Sequence, residues 1–180
     1  MNMRPVAALI VAAGLALAGC SSSDNSDAPA VSGNAPSAPA AAPKGTSAKD
    51  VTAALAQQIP TVKTTVVYTE DSDPNKRMGR PHQYLSKTAF ADSRIPAAEA
   101  KKDADGRKDA ISYGGTVEVF ATAEDAKAWA DGIDKTMQSL GSIITPDYIY
   151  RSGRTVIRAS SHLSPSQAAQ YQEALGKAVS

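Results

Sequence analysis

The sequence predicts an α+β domain, a two-layer sandwich with a mostly antiparallel five-stranded sheet and helices on one face. Three segments begin with strong helix-capping signals, and five others have the composition of strands. The strands come in runs rather than in strict alternation with helices, so the expected order is α-β-β-β-α-β-β-α. All aromatic residues lie between Tyr68 and Tyr171. We therefore expect a single domain over residues 47–180.

The first predicted element is a helix that begins after Ser47. Ser47 and Asp50 have capping-box spacing, and Pro60 follows the end of the apolar face. Three strands are expected next, and between the second and third lies a charged excursion over 97–115. These strands cover residues 62–69, 83–92 and 116–121.

A longer helix is expected after Thr122, which has an acidic residue three positions later at Asp125. Gly141 is the expected end of this helix. Its apolar side consists of Ala126, Trp129, Ala130, Ile133, Met137 and Leu140. These positions recur with helical periodicity, so they predict one continuous apolar stripe.

The chain is expected to close with a hairpin and a third helix. Strands over 148–151 and 154–160 are separated by Ser152-Gly153, and glycine suits the positive φ of a tight turn. Ser164 is the expected N-cap of the last helix, with Pro165 at its first position and Gln167 at the third. The chain is therefore expected to end with two strands followed by a helix.

Residues 1–19 have the features of a secretory signal peptide. Arg4 precedes an apolar run over 6–18 that is too short to span a bilayer. The tetrapeptide Leu17-Ala18-Gly19-Cys20 resembles the lipobox of bacterial lipoproteins. That resemblance implies cleavage before Cys20, lipidation of its thiol and attachment to the outer face of the cell membrane. An ordinary cleaved signal with an incidental cysteine is the alternative.

Residues 20–46 are expected to be a lipidated cysteine followed by a disordered tether. The segment is rich in Ser, Ala and Pro and has no aromatic residue, so it cannot bury enough apolar surface to fold. Without Arg4, the 19 basic side chains of the whole chain become 18, equal to the 18 acidic ones. This balance argues against nucleic-acid binding.

The stretch from Glu70 to Tyr84 is the richest in polar side chains. Its acidic opening suits a calcium loop, but Lys76 and His82 occupy positions where an EF-hand needs glycine and glutamate. The EF-hand pattern therefore fails, and a turn at Asp73-Pro74-Asn75 explains the opening more simply. The alternative is a recognition loop for an anionic or hydrogen-bonding partner. Its candidate binding residues are Asp73, Asn75, Arg80, His82 and Tyr84.

Several short motifs resemble a family of small lipoproteins of Gram-positive bacteria, with related sequences in some of their phages. The motifs are Asp73-Pro74-Asn75, Gly79-Arg80-Pro81, Tyr84, Ser86-Lys87, Phe90, Asp92-Ser93-Arg94 and 115–120. Members often carry Leu-Leu before Gly-Arg-Pro, whereas this chain has Arg77 and Met78, which weakens the apolar anchor expected there. The resemblance implies no known activity, so it assigns no catalytic residue.

No sequence motif identifies a reaction, a cofactor or a metal site. We therefore expect a non-catalytic domain that binds an envelope component or protein at the outer face of the cell membrane. An envelope guard against related phages is a second hypothesis, which rests on the resemblance alone. An enzyme with a scattered site is a third, with His82, Asp73 and Arg80 as candidates. Arg154 and Arg158 are expected on one sheet face, which is either solvated or in contact with phosphates.

The lipobox predicts that Cys20→Ser abolishes lipidation of the protein. Metabolic labelling with a fatty acid should mark the wild-type protein, which should enter the detergent phase on phase separation. The Cys20→Ser variant should carry no label, because serine offers no thiol for the thioether bond. Ser21→Ala is the matched control and should behave as wild type. A labelled serine variant would contradict the assignment.

Overall fold

The computed structural model describes residues 46–179, and the elements of this part of the chain number four α-helices and five strands. They are α1 (Ala48–Gln58), β1 (Val62–Val67), β2 (Tyr84–Asp92), α2 (Ala97–Asp103), β3 (Gly114–Phe120), α3 (Ala123–Leu140), β4 (Tyr148–Ser152), β5 (Thr155–Ala159) and α4 (Pro165–Ala178). The predicted signal peptide, Cys20 and the tether up to residue 45 lie outside the described residues.

The strands form one antiparallel sheet in the order β1-β2-β3-β5-β4. The predicted α+β sandwich with a five-stranded antiparallel sheet is confirmed. β3 lies in the centre of the sheet, and all seven of its residues are buried. Residues of β3 therefore have neighbours on both sides and on both faces.

The predicted helix starts and the hairpin turn are confirmed. Ser47 and Ser164 each form a complete capping box, and Thr122 accepts a hydrogen bond from the Asp125 backbone N–H at 3.0 Å. Gly141 caps the end of α3, and Gly153 has a φ of +51° between β4 and β5. These features depend on residues close in sequence, which is why sequence patterns find them.

The excursion over 97–115 contains structure that was not predicted. α2 occupies its first part and buries only Ala100, so it has almost no apolar periodicity to detect. Gly114 and Gly115, expected before the third strand, belong to β3. A Cβ atom on Gly115 would lie 2.3 Å from the Arg158 backbone oxygen and 2.7 Å from Phe90 Cζ. Only glycine lets these strands approach so closely.

Helices α1 and α4 pack together on one face of the sheet. Their buried side chains meet those of β2, β3 and β5 in the larger hydrophobic core, which includes Leu55, Phe90, Val117, Ile157 and Tyr171. The predicted placement of helices on one face of the sheet holds for α1 and α4. Helix α3 packs on the other face of the sheet. There it forms a second core with strand side chains such as Phe120 and Val156. The sheet is therefore covered on both faces.

Asp92 ties the end of β2 to α4. The Tyr171 hydroxyl donates to its carboxylate at 2.6 Å, and Arg94 donates from Nε at 3.0 Å. Burial alone would raise the pKa of Asp92, but these hydrogen bonds outweigh it and lower the pKa to about 2. The Phe90 and Tyr171 rings stack with centroids 5.4 Å apart, so polar and apolar contacts both fix α4 on the sheet.

The close approach at Gly115 predicts that Gly115→Ala destabilises the domain. The added methyl group collides with backbone, so the free energy of unfolding should fall by about 1–3 kcal/mol. Gly132→Ala in α3 is the matched control, because its Cβ meets nothing within 4 Å. Alanine favours helix there and should leave stability unchanged or raise it by up to about 1 kcal/mol. Urea unfolding followed by circular dichroism measures both. Equal stability of the two variants would contradict the steric argument.

Candidate functional site

The loop between β1 and β2 contains the predicted turn at Asp73-Pro74-Asn75. The Lys76 backbone N–H donates to the Asp73 carbonyl at 3.1 Å, which closes a four-residue turn with proline at its second position. Lys76 itself has a φ of +52°, an uncommon conformation for a residue with a side chain. The turn reading of this stretch is therefore confirmed.

The side chain of Asp73 is fully buried and organises the rest of this loop. Its Oδ2 accepts hydrogen bonds from the backbone N–H of Arg77 at 2.8 Å and of Met78 at 3.2 Å, and from the Tyr84 hydroxyl at 2.7 Å. Its Oδ1 accepts from the Asn75 N–H at 3.3 Å. Burial would raise the pKa of Asp73, but the hydrogen bonds prevail and lower it. The carboxylate stays charged and holds the loop closed.

A buried lysine connects this loop to the sheet. Lys87, on β2, places Nζ 3.9 Å from Asp73 Oδ1 and 3.4 Å from Glu118 Oε1. The ammonium also lies 5.4 Å from the ring centroid of Tyr68 and 5.2 Å from that of Tyr84. Two carboxylates and two aromatic faces thus stabilise one cation that is 6% exposed.

Glu118 is the cross-strand partner of Lys87 in the β2–β3 register and is 3% exposed. Its Oε1 accepts a hydrogen bond from Thr116 Oγ1 at 3.3 Å and faces Lys87. Its Oε2 is buried and has no hydrogen-bond partner among the described residues. An unpaired carboxylate oxygen in such a place is unfavourable, and the described residues supply no donor for this atom.

A cleft of about 730 Å³ opens beside Glu118, between the sheet and α3. Its volume is within the range of roughly 300–1,000 Å³ found for small-molecule sites. The sheet contributes a polar wall with Lys87, Thr116, Glu118 and Arg158. Apolar residues dominate the opposite wall, namely Trp129, Ile133, Met137 and Leu140 from α3, with Ile144 beyond it.

The apolar wall exists because the apolar stripe on α3 extends beyond the part of the helix that packs on the sheet. Ala126 and Ala130 are buried against the sheet, as expected for a core-facing helix. Ile133 and Met137 are only half-buried, and Leu140 is 40% exposed. The second half of the predicted stripe therefore faces the cleft instead of a packed core.

The cleft has basic side chains without carboxylate partners. Arg158 forms an ion pair with Asp147 at 2.8 Å, and Lys87 is neutralised as described. Arg77 and Arg107 also line the cleft, and neither has a carboxylate within 4 Å in the described part of the chain. The Arg77 guanidinium lies 5.7 Å from the ring centroid of Trp129. Two guanidinium groups are thus free to meet an anion.

Tyr68 closes one side of the cleft by donating a hydrogen bond from its hydroxyl to Asp109. Burial, reinforced by this hydrogen bond and by the charge of Asp109, raises the pKa of Tyr68. The hydroxyl therefore keeps its proton at neutral pH and remains a donor to Asp109.

The candidate binding residues predicted from the sequence occupy three different surroundings. Asp73 and Tyr84 are fully buried, are hydrogen-bonded to each other and do not line the cleft, so they hold the loop together. Asn75 lines the cleft and donates from Nδ2 to the Tyr84 hydroxyl at 3.2 Å. Arg80 and His82 are exposed, and neither lines the cleft. His82 instead places Nδ1 2.8 Å from Asp125 Oδ1, at the start of α3.

Arg77 and Met78 precede Gly79-Arg80-Pro81, and Met78 provides the apolar contact at this place. Met78 is buried in the second core with Tyr84 and Phe120, so the apolar contact expected to be weakened is retained. Arg77 is exposed and extends over the Trp129 ring. Arg77 therefore places a guanidinium at the cleft, and Met78 supplies an apolar anchor beside it.

Sequence reasoning did not identify Lys87, Glu118 or Trp129 as parts of a site. They lie on β2, β3 and α3, and only the strand register and the packing of the helix bring them together. One signal was present: a lysine and a glutamate interrupt two strands whose other residues are mostly buried. A buried charge is costly without a partner, so such residues indicate pairing or a ligand.

Comparisons of the chain with known protein families, with curated proteins and with solved structures find no match. Among the helices of residues 46–179, none is both long and apolar enough to cross a membrane. Within the same residues, no three His, Cys, Asp or Glu side chains are grouped so that they could hold a metal ion. The cleft is therefore described by its own chemistry.

The role of Asp73 predicts that Asp73→Asn destabilises the domain at neutral pH. The amide has one acceptor oxygen instead of two and leaves Lys87 with one carboxylate, so the free energy of unfolding should fall by about 3 kcal/mol. Asp71→Asn, an exposed change in the same loop, should stay within about 0.5 kcal/mol of wild type.

Lowering the pH should reduce the difference in free energy of unfolding between wild type and Asp73→Asn. The folded-state pKa of Asp73 is depressed, so its contribution is present above the ordinary value of 3.8 and is lost as the pH falls below it. Urea unfolding at several values from about pH 7 to about pH 3 should show wild type approaching Asp73→Asn. A difference that is constant with pH would show that the carboxylate charge is not responsible.

Proposed function

We propose that this protein is a lipid-anchored lipoprotein whose folded domain binds a ligand at the outer face of the cell membrane without catalysing a reaction. The signal-like segment over 1–19 and the lipobox at Cys20 support export and anchoring. The tether after Cys20 would hold the domain away from the lipid headgroups. The proposal assigns the binding to the cleft between the sheet and α3.

One observation carries the binding part of the proposal. The cleft combines an apolar wall with a polar wall, and on the polar side the buried Oε2 of Glu118 has no hydrogen-bond partner in the described part of the chain. Ligand sites in proteins have this composition, an apolar surface with a few polar groups that fix orientation. The charges around Glu118 are held in place by the sheet register and by Asp73, so the polar wall is preformed.

The charged groups best placed for catalysis already form contacts within the protein. Lys87 is enclosed by two carboxylates and two rings, and the Asp73 carboxylate accepts four hydrogen bonds. The enzyme hypothesis named His82, Asp73 and Arg80, of which only Asp73 is buried. Binding is therefore the function that the geometry supports best.

Blocking the cleft tests this function. Gly132 lines the cleft and its Cβ would meet nothing within 4 Å, so Gly132→Phe should fill the space while α3 stays folded. The full-length protein is purified from the envelope, and bound small molecules are extracted and identified by mass spectrometry. Wild type should carry a species that Gly132→Phe lacks.

Lys135→Phe is the matched control, because it adds the same side chain to an exposed position of α3 outside the cleft. It should retain the species that wild type carries. Identical extracts from wild type and Gly132→Phe, with both proteins folded, would refute binding in the cleft.

A further inference from the structure

Three features of the cleft lack a partner, and together they indicate one class of ligand. Within residues 46–179, they are an unpartnered apolar stripe on α3, two guanidinium groups without carboxylates, and two buried polar atoms without hydrogen-bond partners. We infer that the cleft binds a single-chain anionic amphiphile with hydroxyl groups on its head. This inference rests on the proposed function and names the class of ligand for the same site.

The apolar stripe fits an extended chain. From Trp129 to Leu140 the helix rises by about 16 Å at 1.5 Å per residue, and Ile133 and Met137 lie between these ends. Ile144, beyond the helix, continues the same wall of the cleft. A hydrocarbon chain along this wall would cover side chains that are now half exposed to water.

The charges of the cleft favour an anionic head. A cationic head would need the carboxylates and aromatic faces around Lys87, but the chain's own ammonium already occupies that position. Arg77 and Arg107 line the cleft and form no ion pair with the residues that the structure describes, whereas Asp109 is engaged by the Tyr68 hydroxyl. A guanidinium offers a planar set of donors that matches a phosphate or a carboxylate.

The two buried polar atoms without partners call for further hydrogen-bonding groups on the head. Glu118 Oε2 can only accept, and Trp129 Nε1 can only donate. Both residues line the cleft, one on the sheet wall and the other on the helix wall. A hydroxyl group can donate to the glutamate, and an oxygen of the head can accept from the indole. A fatty acid has no such hydroxyl, so a glycerol phosphate head fits better.

Calorimetry with defined probes tests this inference. The chain from residue 20 onward, carrying Cys20→Ser, is used, because it has neither the apolar signal segment nor the lipid and can be purified without a competing detergent. Lauroyl lysophosphatidylglycerol, kept below its micelle-forming concentration, supplies chain, charge and hydroxyl groups. Three further probes each lack one feature: monolauroyl glycerol lacks the charge, glycerol 3-phosphate the chain, and laurate the hydroxyl groups. The complete probe should bind at least about tenfold more tightly than each of them.

Substitutions then locate the head. Arg107→Gln and Arg77→Gln should each weaken binding of lysophosphatidylglycerol about tenfold and leave monolauroyl glycerol unaffected, because only the charged head uses a guanidinium. Arg80→Gln is the matched control on the same loop as Arg77, since Arg80 is exposed and does not line the cleft. Circular dichroism and melting curves establish that every variant is folded.

Several outcomes would overturn the inference. Equal affinity for the charged and uncharged lauroyl probes, or a loss of binding in Arg80→Gln alone, would remove the head site from Arg77 and Arg107. No binding of the complete probe would also refute it. If a different molecule is still extracted from wild type and not from Gly132→Phe, the proposed function stands and only the ligand class is wrong.

Discussion

The buried ammonium of Lys87 is the constraint on which the rest of the structure depends. Removal of a charge from water costs several kcal/mol even after the protein relaxes, so the ammonium must be met by opposite charge. Glu118 provides it from the neighbouring strand, and Asp73 provides it from the loop between β1 and β2. The loop must therefore lie against the sheet. Because Asp73 also binds the N–H of Arg77, the same constraint positions Arg77 at the cleft.

The two faces of the sheet differ in chemistry, and this difference creates the cleft. The face under α1 and α4 is apolar and closely packed around residues such as Phe90 and Val117. The opposite face has an apolar end at Phe120, which α3 covers, and a polar end at Thr116 and Glu118. Apolar side chains of α3 gain little by packing on polar ones, so the space between them stays open.

The parts of the fold predicted correctly from the sequence are those that neighbouring residues determine. A serine or threonine followed three residues later by an acid or glutamine caps a helix wherever that helix packs, so α1, α3 and α4 were located by their first turns. The turn at Asp73 and the hairpin glycine at 153 are equally local. Helix α2 was missed because it buries one residue, and β3 was begun too late because Gly114 and Gly115 were assigned to the charged excursion before it.

The sequence by itself determined the fold class, most of the element boundaries and the turn that begins the polar loop. Only the tertiary structure decided which polar residues form a site. Asp73 and Tyr84, expected to contact a partner, are buried supports, whereas Lys87 and Glu118 were hidden among strand residues. The physical reason is that strand pairing and burial of charge are long-range. Lys87 and Glu118 are far apart in the chain, and their pairing follows from the register of β2 and β3.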